Sequence, residues 1–250
     1  MHEPCECASA LVAGLDGCRA GWLCVLLEAE SGAAREAFIA PDCEAVLARA
    51  DLATIAIDIP IGIPEIAQLG GRACDVALRR ELGGRQSSVF AVPARAALAE
   101  EDFGRASMAA LAHSQPARKV SRQSFHLFPK IREVDALMTP EAQERVVECH
   151  PEGAFWAMNG RQPLGEPKKV KSQGHPPGLA LRHLLLARAG FDPQFLTAQR
   201  FRASEAGEDD FLDACACAWT ARRVLKGEAI RFPEGEPPTD PRGLRMEIWA

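Results

Sequence analysis

Leu11-Val12-Ala13-Gly14-Leu15-Asp16 and, further along, Thr54-Ile55-Ala56-Ile57-Asp58 are two apolar runs that each close on an aspartate. The first reads as a short buried strand. Gly17-Cys18-Arg19-Ala20-Gly21 predicts a turn and Trp22 to Leu27 a second apolar strand, so the pair forms a hairpin. The Thr54 run is β-branched and apolar on both faces, the signature of a central strand covered on both sides, and Pro60, Gly62 and Pro64 end it. If the two strands are parallel neighbours they lie about 4.8 Å apart. Asp16 and Asp58 then project at the same sheet edge, near enough to share a divalent cation. A buried carboxylate is costly unless it is paired or binds metal. Simpler roles stay open: Asp16 as a turn residue before Gly17, and Asp58 as a cap of the loop that follows.

Outward from these strands, Ala34 to Ala40 predicts a third strand, Cys43 to Ala50 a helix, and Arg145-Val146-Val147-Glu148-Cys149 a fifth strand. Helices are expected over Arg72 to Leu82, Gly104 to Ala112 and Leu179 to Ala189, with Gly190 just past the last. The longest spans Asp210 to Lys226 and stops at Gly227. Val89 to Pro93 and Ser121 to Arg132 read as extended loop, and the tail from Phe232 to Gly243 as irregular. Strands first, then alternating elements, predict an α/β fold with a mixed sheet. The expected organisation is a tail over residues 1–10 and one domain over 11–250, with 72–142 as an insertion or lid. Function at such a sheet is expected beyond the carboxyl ends of its strands.

A chain of 250 residues buries roughly 70% of its open surface on folding, enough for a core without disulfides. Hydrophobic content of 47% and charged content of 25% exclude a disordered or fibrous chain. The net charge of −5 means that any nucleic-acid contact must come from a local patch. Tyrosine is absent and aromatics reach 6%, leaving few platforms for stacked bases. Nine cysteines match no zinc spacing, and reduced, mostly buried thiols are expected. Met1-His2-Glu3-Pro4 is no basic leader and no apolar run approaches about 18 residues, so a cytoplasmic protein without a membrane span is expected.

Two further acidic places stand out. Glu148 ends the fifth strand, where period two puts it on one face with Val146 and His150. Asp210 and Asp213, within Glu208-Asp209-Asp210-Phe211-Leu212-Asp213, share one helix face. Helix capping explains the pair well, with Asp210 as N-cap and Asp213 three residues on near the positive helix end; against it, Asp213 precedes the nearly all-apolar Ala214-Cys215-Ala216-Cys217-Ala218-Trp219, where an acid points into something buried. Two basic clusters, Lys168/Lys169/Lys171 and Arg118/Lys119/Arg122/Lys130/Arg132, fit either a solvated face or a phosphate site. The paired glycines at 70–71 and 83–84 match neither a dinucleotide fingerprint nor a P-loop, and no Gly-x-Ser-x-Gly elbow occurs.

Gly14-Leu15-Asp16-Gly17-Cys18-Arg19-Ala20-Gly21-Trp22, Ile57-Asp58-Ile59-Pro60-Ile61-Gly62, Arg72-x-Cys74-Asp75 and Ser88-Val89-Phe90-x-x-Pro93 together resemble one family. So do Pro129-Lys130-Ile131-Arg132-Glu133-Val134-Asp135, Glu148-Cys149-His150-Pro151-Glu152 and Asp209-Asp210-x-x-Asp213-Ala214. It is the domain-of-unknown-function family 429, described as predicted RNase H-like nucleases, and the resemblance runs from about residue 11 to 227. It implies an RNase H-like five-stranded mixed sheet, its first, fourth and fifth strands parallel, with helices on both faces. It further implies that Asp16, Asp58 and Asp213, with Asp210, occupy the places that bind two Mg²⁺ or Mn²⁺ ions in that superfamily. Glu148 sits at a less standard position. Hard cations with oxygen ligands need carboxylates, and two of them suit phosphodiester hydrolysis. Lys130 or Lys168 could neutralise charge on the phosphate of a nucleic acid or another phosphodiester. Two other classes stay open: an actin-like ATP-dependent phosphotransferase, for which no second Asp-x-Gly hairpin is found, and a non-catalytic binding protein on the same fold.

Overall fold

The computed structural model describes residues 10–171, 173–198 and 201–250. The predicted tail, with Cys5 and Cys7, falls almost wholly outside them. Strand β1 (Leu11–Cys18) pairs antiparallel with β2 (Gly21–Glu28), and β2 with β3 (Ala34–Ala40). On its other side β1 runs parallel to β4 (Leu52–Ile57), which runs parallel to β5 (Val146–Glu148). The order β3-β2-β1-β4-β5 is the mixed sheet expected of an RNase H-like fold. The strands in the middle are buried on both faces, as their unbroken apolar runs require.

Residues of alternating parity feed two separate cores. Val12, Val25, Leu27, Ala56 and Val147 pack against helices α4 (Pro151–Met158), α5 (Pro176–Arg188) and α6 (Glu208–Leu225). Ala13, Leu15, Leu26, Ile57 and Val146 face the other way, against Phe128, Ile131 and Val134 of α3 (Arg122–Leu137). Two preceding helices, α1 (Ala73–Glu81) and α2 (Phe103–Ala112), belong to the same long segment as α3. Within 72–142, α3 and Ala106 of α2 cover the second face of the sheet, whereas Cys74 and Leu78 of α1 pack in a separate cluster with Trp156, Phe232 and Ile248.

Several local expectations need correction. Gly17 is not in a turn: β1 continues to Cys18 and the reversal occupies only Arg19 and Ala20. The loop expected over Ser121 to Arg132 is the first two-thirds of α3. Pro129 removes one backbone donor inside it. The apolar face of Phe128, Ile131 and Val134 keeps the helix on the sheet regardless. The helix expected over Cys43 to Ala50 shrinks to one turn at Glu44–Leu47. Helix α4, opened by Pro151 after the cap His150, had no counterpart in the expected elements.

Strand β1 and helix α6 approach each other at backbone distance. A Cβ added to Gly14 would lie 2.0 Å from the Ala218 nitrogen and 2.2 Å from the Ala214 oxygen, both backbone atoms that cannot give way. Gly14→Ala is therefore expected to push α6 off the sheet and destabilise the fold by about 3 kcal/mol or more. Gly165→Ala, at a position with nothing within 4 Å, should be neutral. Urea denaturation of both variants checks the contrast.

Candidate metal centre

Asp16 lies on the strand face of Val12 and Gly14, and Asp58 follows β4 on the face of Ala56; both therefore point toward α6. The Asp58 amide donates to the Leu15 carbonyl at 2.9 Å, extending the parallel ladder by one bond and fixing the two acids side by side. Asp213 sits one residue before Ala214, which seats against Gly14. Three elements thus deliver three carboxylates to one point, and each offers an oxygen within 4.8 Å of the others. Asp16 and Asp213 are buried, while Asp58 is half-buried and lines a cavity of about 460 Å³ at the carboxyl ends of β1 and β4.

The electrostatics follow from this crowding. Burial raises the Asp16 carboxyl well above its ordinary range, and repulsion by Asp58 and Asp213 raises it further. Asp58 is raised by burial, against the pull of His150 and Lys168, and it shares a hydrogen bond with Asp16. Asp213 is pushed up to about 7, chiefly by burial. Its Oδ2 accepts from Lys168 Nζ, whereas its buried Oδ1 has no hydrogen-bond partner. The Lys168 ammonium is held in its charged form by Asp213, Asp16 and Asp58 despite burial. One lysine faces three acids, so the group is short of positive charge. A hard cation fits that deficit: all the available donors are carboxylate oxygens, and one of them is unsatisfied.

Lys168 is not a loose surface lysine. Gly178 at the start of α5 lets the Pro167 carbonyl approach within 1.9 Å of where a Cβ would stand, and the His175 amide donates to the Lys168 carbonyl at 2.8 Å. Lys169 beside it pairs with Asp209 at 2.5 Å. Lys130 reaches the cavity from α3. Its stem crosses Gly17, where a Cβ would stand 2.6 Å from Lys130 Cδ, and its Nζ donates to the Gly21 carbonyl at 2.7 Å over the Trp22 ring. That contact explains the glycine after Asp16 better than a turn does. From the second basic cluster only Lys130 lines the cavity; Arg132 instead donates to the carbonyls of Leu98 and Glu100.

The remaining expected site residues lie at the margin. Asp210 accepts from the Gly207 amide at 2.8 Å across the start of α6, and repels Asp16 from there without joining the three-carboxylate group. Glu148 shares the strand face of Val146, opposite to that of Asp16 and Asp58. It is gripped by Arg72, with Nη2 to Oε1 at 2.5 Å and Nη1 to Oε2 at 2.8 Å, and by the Ile61 amide at 2.7 Å. Arg72 also holds Asp75 and donates to the Ile61 carbonyl. This network pins the loop that follows Asp58 to β5 and α1. Burial outweighs Arg72 and lifts the Glu148 carboxyl to about 7.

Arg72 and Glu152 were not among the expected site residues. Glu152, in the first turn of α4, pairs with the buried Arg182 but leaves Oε2 without a partner beside the same cavity. Of the acids in the lid stretch, Glu133 accepts from the Trp22 indole and the Cys43 amide, and Asp135 pairs with Arg95 and Arg242. Both tie α3 down.

A family model matches residues 14–238 of this chain. The chain belongs to the family described as protein of unknown function, DUF429. No curated protein and no solved structure matches it. Among the described residues of this DUF429 chain no helix is long and apolar enough to cross a membrane, and all seven described cysteines are buried.

Two measurements test the charge account. With chelator present, the folded carboxyls hold protons that the unfolded chain has released, from the ordinary aspartate range up to about 7. Stability is then full at low pH and falls as pH rises through that window, on the order of 1–3 kcal/mol. Urea denaturation at about pH 5 and about pH 7.5 reads it, and equal stability would mean that Lys168 alone balances the cluster. Separately, Arg72→Met strands Glu148 and Asp75 as buried unpaired acids and should cost about 3–5 kcal/mol in the same assay.

Proposed function

We propose that the chain is a divalent-metal-dependent hydrolase of phosphodiester bonds. The observation that carries this reading is the convergence of Asp16, Asp58 and Asp213, from two parallel strands and one helix, on one point, where Asp16, Asp58 and Lys168 line a cavity. These three residues would hold Mg²⁺ or Mn²⁺, with Asp210 at the edge. When bound, such ions lower the pKa of a water and offset charge on the phosphate.

The chain's own residues supply the rest. Lys130 and Lys168 approach the cavity from opposite walls and would bind non-bridging phosphate oxygens, with their ammonium groups countering the charge that builds there. Arg72 and Glu148 keep the loop after Asp58 from shifting. In the overall reaction a water oxygen bonds to phosphorus, the ester P–O bond breaks, and the departing oxygen takes a proton. Glu152, whose Oε2 is unpartnered beside the cavity, would be an additional carboxylate to orient the water.

Divalent-dependent cleavage of a chromogenic phosphodiester, with ATP turnover measured alongside, tests the activity. The parent should cleave the diester only with Mg²⁺ or Mn²⁺, and Asp58→Asn should fall to background. Removing one of several repelling charges should nonetheless raise the melting temperature of the chelator-treated variant by a few degrees, for about 1 kcal/mol. Saturating metal at about 100 Kd should stabilise the parent by about 2.7 kcal/mol and the variant much less. An equal metal response in both would remove Asp58 from the site, and ATP turnover without diester cleavage would replace hydrolysis by phosphotransfer.

A further inference from the structure

The cavity carries a second chemical feature besides its acidic floor. Cations stand around it on four separate elements: Arg72 at the start of α1, Arg85 on the short helix Gly83–Ser88, Lys130 on α3, and Lys168 with Lys169 on the segment before α5. Two of the five, Arg85 and Lys130, face no acid. Arg85 is half-buried at the cavity and makes no ion pair among the described residues, and Lys130 spends its ammonium on one backbone carbonyl and the Trp22 ring. A half-buried guanidinium without an acid partner is an anion site waiting for its anion, and arginine favours phosphate oxygens in particular. The lining from these elements is mixed: Phe90 and Leu127 are partly exposed to the cavity beside the polar Ser87, Ser88, Gln123 and Ser124. The space therefore offers carboxylates, cations and two apolar side chains for an organic group to rest on.

Size and charge decide what fits. A volume of about 460 Å³ lies within the roughly 300–1,000 Å³ of small-molecule sites. A protein that reads duplex nucleic acid buries roughly 1,000–2,500 Å² of strongly positive surface. This chain carries −5 overall, and the cations in question are confined to one half-open cavity.

We infer that the ligand of this site is a small, non-polymeric phosphate ester whose organic part is no larger than a nucleoside. Its phosphate would lie between the carboxylate floor and the Arg85–Lys130 rim, with its organic part against Phe90 and Leu127. This rests on the phosphodiesterase reading for the catalytic end of the cavity. The rim itself stands independently of metal.

The test uses the full chain and three probes followed by titration calorimetry: Mn²⁺ alone, adenosine 5′-monophosphate with and without Mn²⁺, and a duplex oligonucleotide. The expected result is one nucleotide per chain. Arg85→Ala should bind it about tenfold more weakly, the loss of a charge-assisted contact, while Mn²⁺ binding is unchanged. The logarithm of affinity should fall only shallowly against that of salt, because a single phosphate carries no condensed counterions to release. Tight duplex binding with a slope several times steeper overturns the inference in favour of a nuclease on polymers. So does Mn²⁺ binding with no measurable nucleotide binding, which leaves the metal centre standing. Nucleotide bound through Arg85 without any Mn²⁺ binding upholds the ligand class and removes the metal-dependent reaction. Binding of neither removes both.

Discussion

The approach of α6 to β1 at Gly14 is the constraint on which the site depends. Only a residue without a side chain lets the backbone of Ala214 and Ala218 sit directly on the strand. With the helix that close, Asp213 comes level with the end of β1 and meets Asp16 and, across one parallel ladder, Asp58. Moving the helix out by even the width of a methyl group would separate the three acids and open the cavity floor to water. The fold thus brings like charges together by backbone packing, which is indifferent to charge, and leaves the repulsion to be met by whatever cation is at hand.

Lys168 is the cation the chain itself provides. It compensates one carboxylate of three, and the arrangement of Pro167 against Gly178 holds it there as firmly as a loop residue can be held. The remaining imbalance is expressed as raised carboxyl pKa values and an unsatisfied Asp213 oxygen. On the far side of β4 the opposite solution appears: Glu148 and Asp75 are met by a fully buried arginine through charge-assisted bonds. The two acid groups contrast: one is closed by Arg72 and the other is left short of charge.

Much of this was legible in the residues. The apolar runs closing on Asp16 and Asp58, and the acid preceding the apolar stretch of α6, marked the cluster in combination: a turn or a cap accounts for each acid singly, but not for three at the ends of apolar elements. The same alternation that put Asp16 toward α6 also put Glu148 with Val146 on the other face, and that alone separates Glu148 from the cluster. Other parts were not readable locally. Pro129 and the polar residues around it suggested loop, while the packing that overrides them depends on the facing sheet. The reason for Gly17 is a lysine more than a hundred residues away. Arg72, Glu152 and Arg85 look like ordinary surface charges until folding buries or surrounds them.

Anomalous scattering from crystals grown with Mn²⁺ tests the central claim most directly. The account predicts a manganese peak among the carboxylates of Asp16, Asp58 and Asp213, coordinated by Asp213 Oδ1, with Lys168 displaced from or sharing the far oxygen of that residue. Peaks confined to surface acids, with Asp213 still bound only by Lys168, would contradict it and leave the cluster as a buried ion pair without a metal.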